Sequence, residues 1–293
     1  MINRLALTGA SRLQSRLQFD EAPTGPEFFF AQTFVGYQLE GRVLTGSAAE
    51  TSTPQVLAIH GARSDYSRLS AILHPLQALG IASLSFNLSG HSPGADVALE
   101  DTSLAQNLQE ALQFADHLGA ELSTVIGHSL GGALALKVAQ AHRASVRHIV
   151  LFCPALYAEA AWQQPFGSPF KSAISVPNGF LDSPSLDFLR TFDGKVLLVI
   201  GEYDGLRSTA FGGIPGTSAG TQQMGERLIN SAIPYEVIEA IEKSLAPNQF
   251  RKIVLPGCDH AVSTWLRENP PRAVQLAREI AQFINAGNRS QAS

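Results

Sequence analysis

From Val56 onward, short apolar runs alternate with segments whose apolar residues recur every third or fourth position. Runs at 56–59, 81–88, 123–126, 146–152, 196–200 and 251–255 read as strands, several of them apolar throughout, which is the pattern of strands covered on both faces. Between them, Leu69, Ile72, Leu73 and Leu76 mark a helix over 67–79 closed by Gly80. Leu104, Leu108, Leu112 and Ala115 mark a second helix, capped by Asp101 or Thr102 and ended at Gly119, and a small-residue helix is predicted over 131–142. Parallel strands need long crossover connections, so this alternation implies an α/β fold, a mostly parallel sheet flanked by helices. An antiparallel pair broken at Gly36 is expected ahead of it over 28–43, followed by a small, polar loop over 47–54.

Composition narrows the function. Charged residues make up 16% of the 293, against about a quarter in typical domains, and the 45% hydrophobic content supports one large buried core. The 21 basic and 25 acidic residues give a net charge of −4, which provides no general field for nucleic acid or anionic lipid. The longest apolar stretches, such as 149–153 and 196–200, have five residues, far below the 18 or so of a membrane span. Residues 1–25 read as an N-terminal arm, although Arg4, Arg12 and Arg16 without an acid in the first 19 positions share one trait of a transit peptide. Cys153 and Cys258 provide no disulfide framework, so inert thiols and a cytoplasmic location are expected. No metal-binding spacing, phosphate loop or dinucleotide fingerprint occurs, which leaves a small-molecule substrate, no cofactor, and a monomer or homodimer as the expectation.

Two stretches depart from the alternation. Residues 154–192 carry Trp162, Phe166, Phe170, Phe180 and Phe188 among five prolines and are expected to fold as a cap between core segments 26–153 and 193–287. Trp162, Phe166 and Phe170 are the apolar substrate-binding candidates. Residues 205–250 open with a Gly-rich segment at 212–220, then read as helical around 224–231 and 235–245.

The chemistry concentrates in Gly127-His128-Ser129-Leu130-Gly131-Gly132, between a strand and a helix. A serine on a sharp strand-to-helix turn requires small residues two positions away on each side, and Gly127 and Gly131 provide them. Its hydroxyl needs a base. His142 and His148 fall at the wrong end of the sheet, whereas His260 follows the strand at 251–255 and reaches the face of Ser129. The base needs an acid to fix its tautomer, and Asp204, just beyond the strand at 196–200, is preferred over Glu202. The amides of Leu130 and Ala62 are the expected oxyanion donors, with Arg63 as the alternative to Ala62, and Gly61, Arg63 and His128 complete the substrate-binding candidates. His60 reads as a loop brace rather than a base.

With His60-Gly61, the Gly127–Gly131 elbow, Asp204 and His260 in the order nucleophile, acid, histidine, the chain resembles the α/β-hydrolase superfamily over roughly 28–284. The resemblance implies an eight-stranded sheet, an acyl-enzyme mechanism without cofactor, and a variable cap. It points to a serine esterase or lipase-like enzyme. Thioesterase, amidase or carbon-carbon bond hydrolase activity, or a non-catalytic ligand-binding protein, are the alternatives on the same scaffold. Two features depart from the family pattern. The loop Asn87-Leu88-Ser89-Gly90-His91-Ser92-Pro93 retains little of the usual Asp-x-Arg-Gly-x-Gly-x-Ser and is expected to be structural. The 55 residues between Asp204 and His260 exceed the usual separation and imply an insertion.

Overall fold

The computed structural model describes residues 6–11, 22–46, 53–92 and 95–288. Most of the expected N-terminal arm (1–5 and 12–21) and of the loop at 47–54 lies outside the described residues. β1 (Glu27–Phe34) and β2 (Tyr37–Leu44) form the antiparallel pair, joined by a turn in which Gly36 takes a φ of 86°. Then follow β3 (Val56–Ile59), α1 (Ser70–Ala78), β4 (Ser83–Phe86), α2 (Leu104–Asp116), β5 (Thr124–His128), α3 (Leu130–Ala141) and β6 (His148–Phe152). After an intervening segment containing α4 (Ser168–Ile174) and α5 (Pro184–Arg190) comes β7 (Lys195–Gly201). A hairpin of β8 (Gly220–Met224) and β9 (Arg227–Ser231), α6 (Tyr235–Lys243), β10 (Phe250–Leu255), α7 (Val262–Glu268) and α8 (Pro270–Asn288) complete the chain.

Eight strands form one sheet in the order β1-β2-β4-β3-β5-β6-β7-β10, parallel from β4 through β10. The chain steps from β3 back to β4, then crosses β3 to reach β5, and right-handed crossovers in opposite directions put α1 and α2 on opposite faces. Accordingly α1 packs on α8, and α2 on α3. Every residue of β3, β4, β5 and β6 is buried, as strands covered on both faces require; β3 is apolar throughout, while Ser83 and Ser85 of β4, Thr124 and His128 of β5 and His148 of β6 are buried with their apolar neighbours. Each fully buried Leu, Ile or Phe of this layer contributes about 1.5–3 kcal/mol relative to exposure. All parallel strands end at one rim, and β3, β5, β7 and β10 deliver their following loops there.

Two local expectations are corrected. Ser103, not Asp101 or Thr102, caps α2, because its hydroxyl accepts from the Gln106 amide while Thr102 turns its own toward the Leu99 carbonyl. The helix expected around 224–231 is the β8–β9 hairpin, turned at Gly225 with a φ of 63°. Leu228 is 70% exposed, and the buried face is set by Ile229 and Ser231 two positions apart.

Candidate active site

The turn after β5 has sterics that only glycine satisfies. A methyl group on Gly127 would lie 2.2 Å from the Gly131 carbonyl oxygen, and one on Gly131 would lie 2.3 Å from that of Ile59 and 2.4 Å from that of His60. Ser129 between them has a φ of 54°, a strained value for a residue with a side chain, held by its amide donating to the Phe152 carbonyl at 2.9 Å. This geometry lifts the hydroxyl above the rim, and α3 begins at the next residue.

The three polar side chains proposed from the sequence meet there. Ser129 Oγ lies 3.0 Å from His260 Nε2, and His260 Nδ1 lies 2.8 Å from Asp204 Oδ2. Asp204 is 3% exposed, and its other oxygen accepts from the Ile233 amide at 3.1 Å. A carboxylate accepts only, so His260 donates from Nδ1, leaving Nε2 as the acceptor that faces the serine. Glu202, the alternative acid, accepts instead from the Gly257 amide at 2.7 Å and is committed to the turn after β10.

The segment between acid and base supports both. The Ile233 amide that grips Asp204 follows β9, the His260 amide donates to the Asn230 carbonyl at 3.0 Å, and Asp259 accepts from the Asn230 amide at 2.9 Å. The long separation between Asp204 and His260 is thus used as a prop beneath the imidazole. Cys153 and Cys258 are buried and free, and burial pushes both thiols up, Cys258 to about 12. Cys153 lies beside the carboxylate, with Cys153, Asp204 and His260 bringing one ligand atom each within 4.8 Å of one another, a cluster that sequence spacing did not reveal.

The loop after β3 packs on the elbow, and a methyl group on Gly61 would come 3.2 Å from Ser129 Cβ. The Arg63 amide, the alternative to that of Ala62, is already committed, donating to His91 Nδ1 at 3.1 Å. Leu130 opens α3, so its amide has no acceptor within the helix. A cavity of about 480 Å³ opens beside Ser129, lined by Leu156, Ile174, Phe180, Ile233 and Val237 among others, with Lys171 also on its wall.

Several binding candidates fall elsewhere. Trp162 and Phe166 are 5% exposed in the main core, and Phe170 stacks edge-on against Tyr157 and Phe166, so none of the three lines the cavity. Their apolar character reflects packing of 154–192 onto the sheet. His128 is buried beneath the rim, where burial holds its pKa well below the usual imidazole value, and its Nε2 donates to the His260 carbonyl at 3.3 Å; it braces the loop instead of facing a ligand. His91, which sequence reasoning did not single out, meets the loop after β3 through the Arg63 amide.

Comparison with known proteins agrees with this architecture. A relative from Cupriavidus necator, the dihydrolipoyllysine-residue acetyltransferase component of an acetoin cleaving system, is 29% identical over 222 residues, covering 72% of this chain. The match spans only 57% of that protein's length. Among solved structures, Est1E from Butyrivibrio proteoclasticus with ferulic acid bound superposes with a TM-score of 0.60 at 19% identity, over 85% of this chain and 98% of that one. The meta-cleavage product hydrolase CumD from Pseudomonas fluorescens gives 0.59 at 14% identity, over 88% and 97%. At these identities the structures speak for the fold alone. The model of the alpha/beta hydrolase family matches residues 56–276, most of the chain, and the protein belongs to that family.

Proposed function

We propose that the chain hydrolyses carboxylic esters of small to medium apolar acyl or aryl groups through an acyl-enzyme on Ser129. The observation that carries this reading is the pair of contacts on one imidazole, 3.0 Å to Ser129 Oγ and 2.8 Å to Asp204. His260 takes the serine proton as Oγ attacks the ester carbonyl, and Asp204 stabilises the imidazolium that forms. The Ala62 and Leu130 amides donate to the developing oxyanion, each contributing about 3 kcal/mol to the transition state. His260 then protonates the departing alcohol, and water, activated by the same imidazole, releases the acid. The cavity volume of about 480 Å³ and its largely aliphatic wall support an uncharged acyl or aryl group. In this reading residues 154–192 act as a cap, supplying Leu156 and Phe180 to the wall.

The test is a fluorophosphonate probe with a series of aryl esters of increasing acyl length. Labelling and turnover are expected in the native chain and absent in Ser129→Ala. Probe labelling that persists in Ser129→Ala overturns the assignment. Turnover of thioesters, amides or a carbon-carbon bond in place of esters would move the chemistry to one of those reactions while keeping the nucleophile.

A further inference from the structure

Of the two proposed oxyanion donors, Leu130 is fixed by the helix it begins, whereas Ala62 sits in an exposed loop with no helix to aim it. The peptide joining Gly61 to Ala62 is planar and trans, so its carbonyl and its N–H point in opposite directions. Whatever holds the Gly61 carbonyl therefore aims the Ala62 amide. His60 Nδ1 does so, donating to that carbonyl at 2.7 Å, while its Nε2 accepts from the Leu88 amide at 3.1 Å. The next peptide is held by a different histidine, since the Arg63 amide donates to His91 Nδ1 at 3.1 Å. Arg63 has a φ of 53°, a conformation its side chain disfavours and a restraint must maintain.

We infer that His91 is a positioning residue for the proposed hydrolysis, clamping the peptide after Ala62 so that, with His60 on the peptide before, the Ala62 amide is aimed at the oxyanion. The inference rests on the assignment of Ser129 and Ala62 above. The acceptor role requires that the His91 proton sit on Nε2, and the structure enforces this from behind. Asn107 Oδ1 lies 2.9 Å from Nε2, and Asn107 cannot be flipped, because its Nδ2 donates to Glu110 Oε2 at 3.1 Å and to the Ser89 carbonyl at 3.3 Å. Glu110 accepts from the Ser89 amide at 3.1 Å and from the Tyr37 hydroxyl at 2.7 Å. All of His91, Asn107 and Glu110 are buried, so a flipped amide would leave polar atoms unpaired away from water, which is disfavoured. Phe166 packs edge-on against the His91 ring and fixes its plane. Burial holds His91 at about 3 and His60 at about 4, so both remain neutral acceptors in the working range.

The experiment measures kcat and KM on a p-nitrophenyl ester, and affinity for an aryl boronic acid, whose serine adduct carries the tetrahedral oxyanion. His91→Phe removes the acceptor while keeping the ring, and His91→Asn returns an acceptor near the Nδ1 position. Asn107→Leu leaves His91 in place but frees its tautomer. His91→Phe is expected to lower kcat about 10- to 100-fold with KM within about twofold, a part of the 10²–10³ that a whole oxyanion donor supplies. Boronate affinity should fall in parallel while affinity for the product acid is unchanged. His91→Asn should recover to within about threefold of native, and Asn107→Leu should fall between. The inference is overturned if His91→Phe keeps kcat within threefold, or if His91→Asn loses as much as His91→Phe. Should His91→Phe fail to fold, Asn107→Leu against native decides by the same split between kcat and KM. A native chain that the fluorophosphonate labels at Ser129, with His91→Phe labelled at an equal rate, defeats this inference alone; a native chain without labelling defeats the underlying assignment.

Discussion

The elbow after β5 and the insertion between β7 and β10 both end at the same imidazole, yet they are built on opposite principles. At the elbow, backbone passes so close to backbone that Gly127 and Gly131 admit no side chain, and the conformation of Ser129 follows from steric exclusion. In the insertion, the β8–β9 hairpin is largely exposed and holds His260 and Asp204 through a few directed hydrogen bonds from Asn230 and Ile233. The difference teaches that exclusion can position the proposed nucleophile within five residues, whereas presenting the proposed base and acid needs a separate piece of chain.

Three substitutions probe that contrast. Asp204→Asn should lower kcat by about 10⁴-fold with little change in melting temperature, because an amide in that place allows the wrong imidazole tautomer. Steady-state kinetics with a thermal melt checks it, and a loss under tenfold would remove the acid from the mechanism. Gly131→Ala should cost about 4 kcal/mol or more in urea denaturation, since the new methyl meets two backbone carbonyls and no flexible side chain can yield. A cost below about 1 kcal/mol would mean that exclusion does not set the elbow. Asp259→Ala, which removes the acceptor for the Asn230 and Ala261 amides, should reduce kcat/KM only about tenfold, less than the hundredfold of a full 1 Å misplacement. If it matched Asp204→Asn instead, the hairpin would be as tightly coupled to the chemistry as the acid itself.

The same contrast explains what could be read from residues alone. β3, β6 and β7 were legible because strands covered on both faces carry runs of apolar residues, and Gly127 and Gly131 mark the elbow because nothing else fits. Asp204 and His260 were legible through their places just beyond β7 and β10. The hairpin was not, because it is largely exposed, with Leu228 70% exposed and only Ile229 and Ser231 buried on β9, so its apolar residues do not mark a buried face in the sequence. Trp162, Phe166 and Phe170 misled for a related reason, since an aromatic side chain reads the same whether it faces a cavity or a core. His91 lacked a signal altogether: the role proposed for it depends on which atom of which loop comes within 3.1 Å, and no spacing records that.

The proposed base is steadied by a two-stranded ribbon, while the hydroxyl it faces is 131 positions away at the middle of the sheet. The sheet can therefore condense with its chemistry still inert. A preparation that keeps its secondary structure is therefore no guarantee that imidazole and hydroxyl are in contact.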